Sequence, residues 1–359
     1  MSAATEFFLI ALAIYLWESC LWLPLRSVVL RRSAFAARWK AVRPGHWMTT
    51  RELGLVPLLP VVPDTGLALC QSPPLLVDGN GQLLIEIIGS GLIECPVSGW
   101  EDIEVQPSRL IVGGATARLS SMRTVDLLRA AKAKGKPPAE GVAELWRKAL
   151  SPTRAAREWR RWKIASAPLA PLCLTLTTGF FIGLPIAYLY AGILPMLGVV
   201  LFLWLVMGTI GVRLWWMAGR VYPTVRNMMR ADAALCCVVP FHAMRAMEHA
   251  SVHAMATTHP AALILSTGDV LNPWLARLVR EVLHPRPEVP FDDSRAALIR
   301  PHLADALGHL GKTLDDYETV PSREEDGQAA AYCPRCHALF SAGIHVCPDC
   351  RGVALKAFG

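Results

Sequence analysis

Residues 164–212 read IASAPLAPLCLTLTTGFFIGLPIAYLYAGILPMLGVVLFLWLVMGTIGV and contain no charged side chain. A single helix of this length would measure ~74 Å, more than twice the ~30 Å hydrocarbon core of a bilayer. Two transmembrane helices fit instead, at 167–189 and 193–212, with a turn at Tyr190-Ala191-Gly192. We therefore predict a transmembrane hairpin, which we assign to residues 167–213.

The composition of the 359-residue chain agrees with a membrane protein, because 53% of its residues are hydrophobic and 18% are charged. Average soluble domains have about 45–50% apolar and about 25% charged residues. A disordered or fibrous chain is excluded. A second apolar stretch, residues 7–24, opens the chain and predicts a third transmembrane helix within residues 1–25. Glu18 lies inside it, where a carboxylate is either paired near the interface or in contact with another helix.

Basic residues predict the orientation of these three spans. Arginines and lysines follow the first span, precede the second and follow the third, and cytoplasmic flanks carry such residues. The N-terminus is therefore predicted outside and the C-terminus inside, in the inner (cytoplasmic) membrane of a bacterium. No cleavable signal is indicated, because Glu6, and no basic residue, precedes the first apolar stretch.

A basic cluster next to the second span lies on a predicted juxtamembrane helix, residues 147–166. Its members are Arg154, Arg157, Arg160, Arg161 and Lys163. Such clusters attract anionic lipid head groups. The formal net charge of +7 is also compatible with nucleic acid. We expect lipid and no nucleic acid, because the cluster adjoins a span and no nucleic-acid-binding motif is found.

The segment between the first span and the basic helix, residues 26–146, is predicted to be a β-rich domain that ends in a helix. Short β-type runs alternate with turn signals such as Asp78-Gly79-Asn80-Gly81, and a capped helix begins near residue 122. Residues 80–134 contain, in this order, Trp100-Glu101-Asp102-Ile103, then a strand, then Ser120-Ser121 and the helix. In this order of elements they resemble bacterial pleckstrin-homology-like domains. That resemblance implies a binding or scaffolding domain.

Residues 214–318 are predicted to be a helical cytosolic region with one histidine-rich helix. His249 and His253 are one helical turn apart, the spacing that can chelate one metal ion. The segment Arg245-Ala246-Met247-Glu248-His249 resembles the His-Gly-Ala-Glu-His of bacterial multi-pass proteins described as metal-dependent enzymes, with arginine replacing the first histidine. The alternative is an amphipathic helix whose methionine face packs and whose histidine face is solvated.

Four of the ten cysteines form the clearest motif, Cys333-Pro-Arg-Cys336 followed by Cys347-Pro-Asp-Cys350. Two such knuckles supply the four sulfur ligands that zinc prefers, and four cysteines leave no open coordination position. Iron is the alternative metal. Residues 332–355 resemble small bacterial four-cysteine zinc ribbons, except that His337 and Arg351 stand where glycine usually follows each knuckle. We assign residues 319–331 to a linker and 332–359 to a ribbon holding one structural zinc.

The sequence thus predicts an α+β integral membrane protein with three transmembrane helices, a small cytosolic β domain, a cytosolic helical region and a C-terminal zinc ribbon. It indicates no reaction and no catalytic residue. A scaffold, adaptor or assembly factor that contacts an unidentified protein partner fits best. The alternatives are a membrane-bound metal-dependent enzyme using Glu248, His249 and His253, and a subunit of an oligomeric transporter, since three spans enclose no pathway alone.

Overall fold

The computed structural model divides the chain into two compact units. The first unit contains Met1–Gln71 and Arg157–Ala256, and the second contains Ser72–Ala156 and Thr257–Gly359. The residues described are 5, 6, 8–10, 13, 20–22, 27–31, 46–49, 55–57, 67–71, 73, 75–77, 83–87, 91–95, 100–106, 109–112, 115–118, 122–220, 226–239, 242, 246, 250, 255, 257–289, 291–323 and 329–358.

Helices dominate the described part of the chain. In chain order they are α1 (Met122–Ala133), α2 (Pro138–Ala149), α3 (Pro152–Ser166), α4 (Leu169–Thr178), α5 (Leu184–Ala191), α6 (Ile193–Arg220), α7 (Arg226–Leu235), α8 (Pro260–Ser266), α9 (Pro273–Leu283) and α10 (Asp292–Gly308). A π-helical turn, Gly179–Gly183, joins α4 to α5. The basic helix predicted at 147–166 is therefore divided, since α2 ends at Ala149 and Pro152 begins α3.

The first unit contains the predicted hairpin. Two helices among the described residues are long and apolar enough to cross a membrane, Pro171–Ala191 and Ile193–Ala218. Only 18% and 22% of the residues in their most apolar windows are buried in the protein, whereas the core helix of a soluble protein is mostly buried. Gly192 has φ of +82°, which glycine adopts without a steric penalty, and it forms the turn between them.

The prediction of a third span is wrong as far as the described residues show. Three residues of the stretch 7–24 form a strand, Cys20–Trp22, which pairs antiparallel with Leu55–Pro57. A helix occupies the beginning of the stretch, where the Phe8 ring contacts the Phe181 ring at a centroid distance of 6.4 Å. The bulky residues Leu21 and Trp22 suit a strand as well as a helix, and the hydrogen bonds to a distant strand decide between them. Glu18 lies outside the described residues.

The π-helical turn lies where the two hairpin helices approach closely. A methyl group at Gly179 would lie 2.6 Å from Leu203 Cδ2 on α6, so glycine permits this packing. The hydroxyls of Thr175 and Thr209 each donate to the carbonyl four residues earlier on their own helix, at 2.9 Å. These two hydroxyls are thus satisfied within the hairpin.

The strands of the β-rich segment are shared between the two units. The first unit holds β1 (Cys20–Trp22), β2 (Ser27–Arg31), β3 (His46–Thr49), β4 (Leu55–Pro57) and β5 (Leu67–Gln71), paired as β1-β4 and β3-β2-β5. The second holds β6 (Leu75–Val77), β7 (Leu83–Ile87), β8 (Gly91–Cys95), β9 (Ile103–Val105), β10 (Arg109–Val112) and β11 (Ala115–Arg118), paired as β6-β7-β8 and β11-β10-β9. Helix α1 follows these strands, in the order that the sequence predicts.

The core of the second unit forms around Trp146 on α2, which is fully buried. Its indole nitrogen donates to the Leu75 carbonyl on β6 at 2.7 Å, so the helix is fixed to the sheet by a buried hydrogen bond. His259 packs beside it, with 6.1 Å between ring centroids. The His259 N–H donates to the Ala149 carbonyl at 2.8 Å, and its ring Nδ1 accepts from the Ala261 N–H at 3.2 Å. His259 therefore joins α8 to the end of α2.

Helices α9 and α10 support the C-terminal ribbon. Asn272 caps α9, because its side-chain oxygen accepts from the Trp274 N–H at 2.9 Å. Helix α10 begins at Asp292, but the cap residue is Phe291, in the left-handed conformation, and not Asp292. The Asp292 carboxylate is instead buried in ion pairs beneath the ribbon.

Candidate metal centre

The ribbon consists of five two-residue strands that place its two cysteine knuckles face to face. The strands are β12 (Ala331–Tyr332), β13 (Leu339–Phe340), β14 (Val346–Cys347), β15 (Val353–Ala354) and β16 (Lys356–Ala357). They pair as β13-β12-β16 and β14-β15. In the first knuckle the Cys333 N–H donates to the Ala338 carbonyl, and the His337 N–H donates to the Cys333 carbonyl, both at 2.9 Å.

Four sulfur atoms converge between these knuckles. The Sγ atoms of Cys333, Cys336, Cys347 and Cys350 all lie within 4.8 Å of one another. The Cys336 and Cys347 sulfurs are 3.8 Å apart. A tetrahedron with ~2.3 Å metal–sulfur bonds has sulfur–sulfur edges of about 3.8 Å, so the spacing fits a four-coordinate ion. The four cysteines can bind one metal ion such as zinc.

The thiols of the cluster differ in pKa. A hydrogen bond from Cys333 lowers the pKa of the Cys336 thiol to about 5, whereas burial raises the pKa of Cys350 to about 12. Four thiolates at such separations repel one another, and a bound cation supplies the compensating charge. Cys333, Cys347 and Cys350 are buried and Cys336 is exposed.

The two residues that replace the usual glycines adopt the conformation that glycine favours. His337 has φ of +65° and Arg351 has φ of +48°. Left-handed backbone costs a non-glycine residue roughly 1–2 kcal/mol. Both knuckles therefore keep the turn geometry of a ribbon although both glycines are absent. Gly352, with φ of +87°, follows Arg351 in the same turn.

Arg335, inside the first knuckle, is buried and attaches the ribbon to α9. Its Nη1 donates to the carbonyls of Glu281 at 2.7 Å and His284 at 2.6 Å. Both carbonyls belong to the C-terminal end of α9, where helices leave carbonyls unpaired and where positive charge is stabilised. Arg280 Nε contacts the Arg335 carbonyl in return, at 3.5 Å. The knuckle thus provides the C-terminal cap of a neighbouring helix.

Asp292 provides the negative charge beside Arg335. Arg286 donates to the Asp292 carboxylate through its backbone N–H at 2.9 Å and through Nε and Nη2 at 3.0 Å. Burial raises the pKa of Asp292, but the hydrogen bonds from Arg286 and the nearby Arg335 outweigh it and hold the pKa at about 2. Asp292 is therefore ionised at neutral pH.

Further contacts extend this attachment beyond Arg335. The Glu288 N–H donates to the Arg351 carbonyl of the second knuckle at 3.4 Å. Glu318 accepts from Lys356 at 3.1 Å and lies 2.9 Å from His284 Nε2. The predicted linker 319–331 therefore ends in a ribbon that packs on the helices of its own unit. The sequence analysis did not predict this role of Arg335. The one indication in the sequence is that an arginine stands between the two cysteines of the first knuckle, where the motif does not specify a residue type.

The other predicted site residues are not gathered into one site. On α3, Arg157, Arg160 and Arg161 are exposed, whereas Arg154 is partly buried and donates to the Thr257 hydroxyl at 3.1 Å. Lys163 is a helical residue of α3. Glu248, His249 and His253 lie outside the described residues. Around them His242, Ala246, Ala250 and Met255 are helical, and the last three are buried.

The comparisons with known proteins add no family: the chain matches no protein-family model, no curated protein and no solved structure.

Proposed function

We propose that the chain is a membrane-anchored scaffold in which a zinc ribbon stabilises a cytosolic platform for a protein partner. The observation that carries the proposal is the closed set of four cysteine sulfurs, whose knuckle arginine caps α9. A site with four protein ligands has no open position for a substrate, and such sites are structural. Zinc is the proposed metal, and iron, which the same four sulfurs can hold, is the alternative.

The two apolar hairpin helices supply the anchor. Side chains such as Leu194, Leu201 and Ile186 are more than half exposed along them, and lipid would cover this surface. Both ends of a hairpin lie on the same side of a bilayer. The arginines that flank it favour the cytosolic side for both units.

Anionic lipid is the proposed ligand of the exposed α3 arginines. Arg157, Arg160 and Arg161 lie on the helix that leads into the first hairpin helix. Each basic residue near an anionic surface contributes about 1 kcal/mol. Arg154, by contrast, donates to the Thr257 hydroxyl.

Cross-linking in intact membranes tests the scaffold. The wild-type chain is compared with Cys347→Ser, which removes one metal ligand, and with Cys237→Ser, which removes a cysteine outside the cluster. Loss of the same cross-linked partners in Cys347→Ser alone supports a platform that depends on the ribbon. A partner set that is identical in all three samples would contradict it, as would a turnover that depends on a second metal equivalent.

A further inference from the structure

Helix α7 folds back along α6, and three contacts fix its register. The Arg230 guanidinium lies 4.9 Å from the centre of the Trp215 ring. The Ala233 carbonyl abuts Gly211, where an added methyl group would lie 2.8 Å from that oxygen. The Trp204 indole donates to the Cys237 carbonyl at 2.8 Å. As the chain advances from Arg230 to Cys237, its contacts on α6 move back from Trp215 to Trp204, so the two helices are antiparallel.

The charged residues of α6 and α7 lie on one side of the Gly211 contact. Arg213 on α6, and Arg230 and Asp232 on α7, lie on the Arg220 side of the Gly211 contact. On the other side the described residues carry no charge, because α6 is uncharged from 193 to 212 and the returning chain is uncharged from 233 to 239. Trp204 lies eight residues inside Val212, which corresponds to ~12 Å along the helix axis.

The N–H groups of the turn at the end of α7 are paired within the turn. The N–H groups of Cys236 and Cys237 donate to the carbonyls of Asp232 at 3.2 Å and Ala234 at 3.1 Å. Those of Val238 and Val239 both donate to Leu235, at 3.0 and 2.9 Å. Residue 240 is proline, which has no N–H. Backbone at membrane depth must find its hydrogen bonds within the protein, and the N–H groups of residues 236–239 do.

The apolar side chains of the turn face outward. Val238 is 75% exposed and Leu235 is 45% exposed. Asp232 lies just before the turn, and its Oδ1 is 3.4 Å from His242 Nε2. His242 also shows that the chain has turned back toward the charged end by that residue.

We propose that residues 233–239 form a re-entrant turn, which enters the bilayer beside α6 from the side where α6 ends, and that the chain is back at this side by His242. The partner of this surface is the lipid acyl chains that surround the hairpin. The inference rests on the proposed membrane anchoring of α6. It adds a third apolar element at the same depth as Trp204, without a third crossing.

Cysteine labelling of the full chain in lipid nanodiscs, which leave both bilayer faces accessible, tests the turn. Three exposed positions are replaced one at a time: Val238→Cys in the turn, Leu201→Cys in α6 and Val320→Cys in the second unit. In the structure these side chains are 75%, 59% and 62% exposed. A charged, membrane-impermeant maleimide is the probe, and peptide mapping by mass spectrometry reads each site separately, so the natural cysteines are retained.

We expect Val238→Cys and Leu201→Cys to react at least about tenfold more slowly than Val320→Cys, because the reactive thiolate and the charged reagent are both excluded from hydrocarbon. Denaturing the sample should bring the three rates together. A fast Val238→Cys beside a protected Leu201→Cys would overturn the re-entrant turn and leave the anchor intact. Three equally fast sites in the folded sample would overturn both the turn and the anchor.

Discussion

Arg335 Nη1 lies 3.6 Å from the Asp292 carboxylate while it donates to two carbonyls at the end of α9. Arg335 is two residues from Cys333 along the chain and Asp292 begins α10, so the pair connects the metal knuckle to both supporting helices. The side chains are 9% and 5% exposed. Removing Arg335 would leave the two α9 carbonyls without this donor, whereas Asp292 would keep its hydrogen bonds from Arg286.

Arg335→Ala should lower the free energy of unfolding of the second unit by about 1–3 kcal/mol, because the Glu281 and His284 carbonyls at the end of α9 lose their donor. Arg277→Ala is the matched control: Arg277 lies on α9 and pairs with Glu281, but its side chain is 47% exposed. That change should cost less than about 1 kcal/mol. Denaturant unfolding of the detergent-solubilised chain measures both.

Metal content distinguishes the role of Arg335 from that of a ligand. Because Arg335 supplies no sulfur, Arg335→Ala should still bind one equivalent per chain. A variant that is as stable as Arg277→Ala would show that the knuckle does not hold the helices.

Cys347→Ser should reduce bound zinc well below one equivalent and unfold the ribbon. The free energy of metal binding in such small modules is folding free energy, about 10–16 kcal/mol near neutral pH. Affinity should fall as pH decreases, because protons compete with the metal for the thiolates. Elemental analysis after gel filtration measures occupancy, with Cys237→Ser as the control that keeps its zinc. Full occupancy in Cys347→Ser would rule out the four-cysteine site.

Gly211→Ala should displace α7 from α6, because the new methyl group would meet the Ala233 backbone carbonyl at 2.8 Å and Cys236 Cβ at 3.3 Å. Overpacking of this kind costs about 1–3 kcal/mol. Gly208→Ala in the same helix meets no atom within 4 Å and is the control. Thermal unfolding and the rate of proteolysis within α7 should change only for Gly211→Ala. Equal behaviour of the two variants would mean that the helices do not pack at this glycine.

The stability of the second unit should decrease as pH falls from about 6.5 toward 4. Burial lowers the pKa of His259 from 6.5 to about 4. Between these values the unfolded chain binds a proton that the folded chain does not, so the stability present above pH 6.5 is lost on acidification. The contribution reaches at most about 3 kcal/mol.

His259→Asn isolates this contribution. Asparagine is a strong N-cap residue and can accept the Ala261 hydrogen bond, but it does not titrate. Between pH 7.5 and 5 the wild-type chain should lose about 2 kcal/mol more than the variant, as measured by denaturant unfolding at the two pH values. Parallel pH profiles would show that His259 is not held neutral by the fold.

Short sequence patterns predicted the features of the fold that depend on residues close together in the chain. The uncharged run predicted the two apolar helices, since length and hydropathy decide such a segment. Two Cys-x-x-Cys knuckles predicted the convergence of four sulfurs. In each case the decisive residues are near one another in the chain or belong to a motif with fixed spacing.

Long-range contacts decided the features that the sequence did not predict. The strand at Cys20–Trp22 depends on pairing with Leu55–Pro57, more than thirty residues away, so its apolar composition alone suggested a membrane helix. Arg335 binds carbonyls of Glu281 and His284 that no pattern around residue 335 can indicate. The packing of α7 along α6 depends on the close approach of Ala233 to Gly211. A glycine within an apolar helix does not indicate which segment of the chain packs against it.

The π-helical turn Gly179–Gly183 is the place in the hairpin where the loss of one residue would disturb the packing of the helices least. Such a turn contains one more residue than an α-helical turn. Deleting a residue there would restore a regular helix and leave α4 and α5 with their present faces toward α6. The same deletion within α6 would rotate every later side chain by about 100° and move Gly211 away from Ala233. Natural insertions and deletions in this hairpin should therefore be concentrated at the π-helical turn.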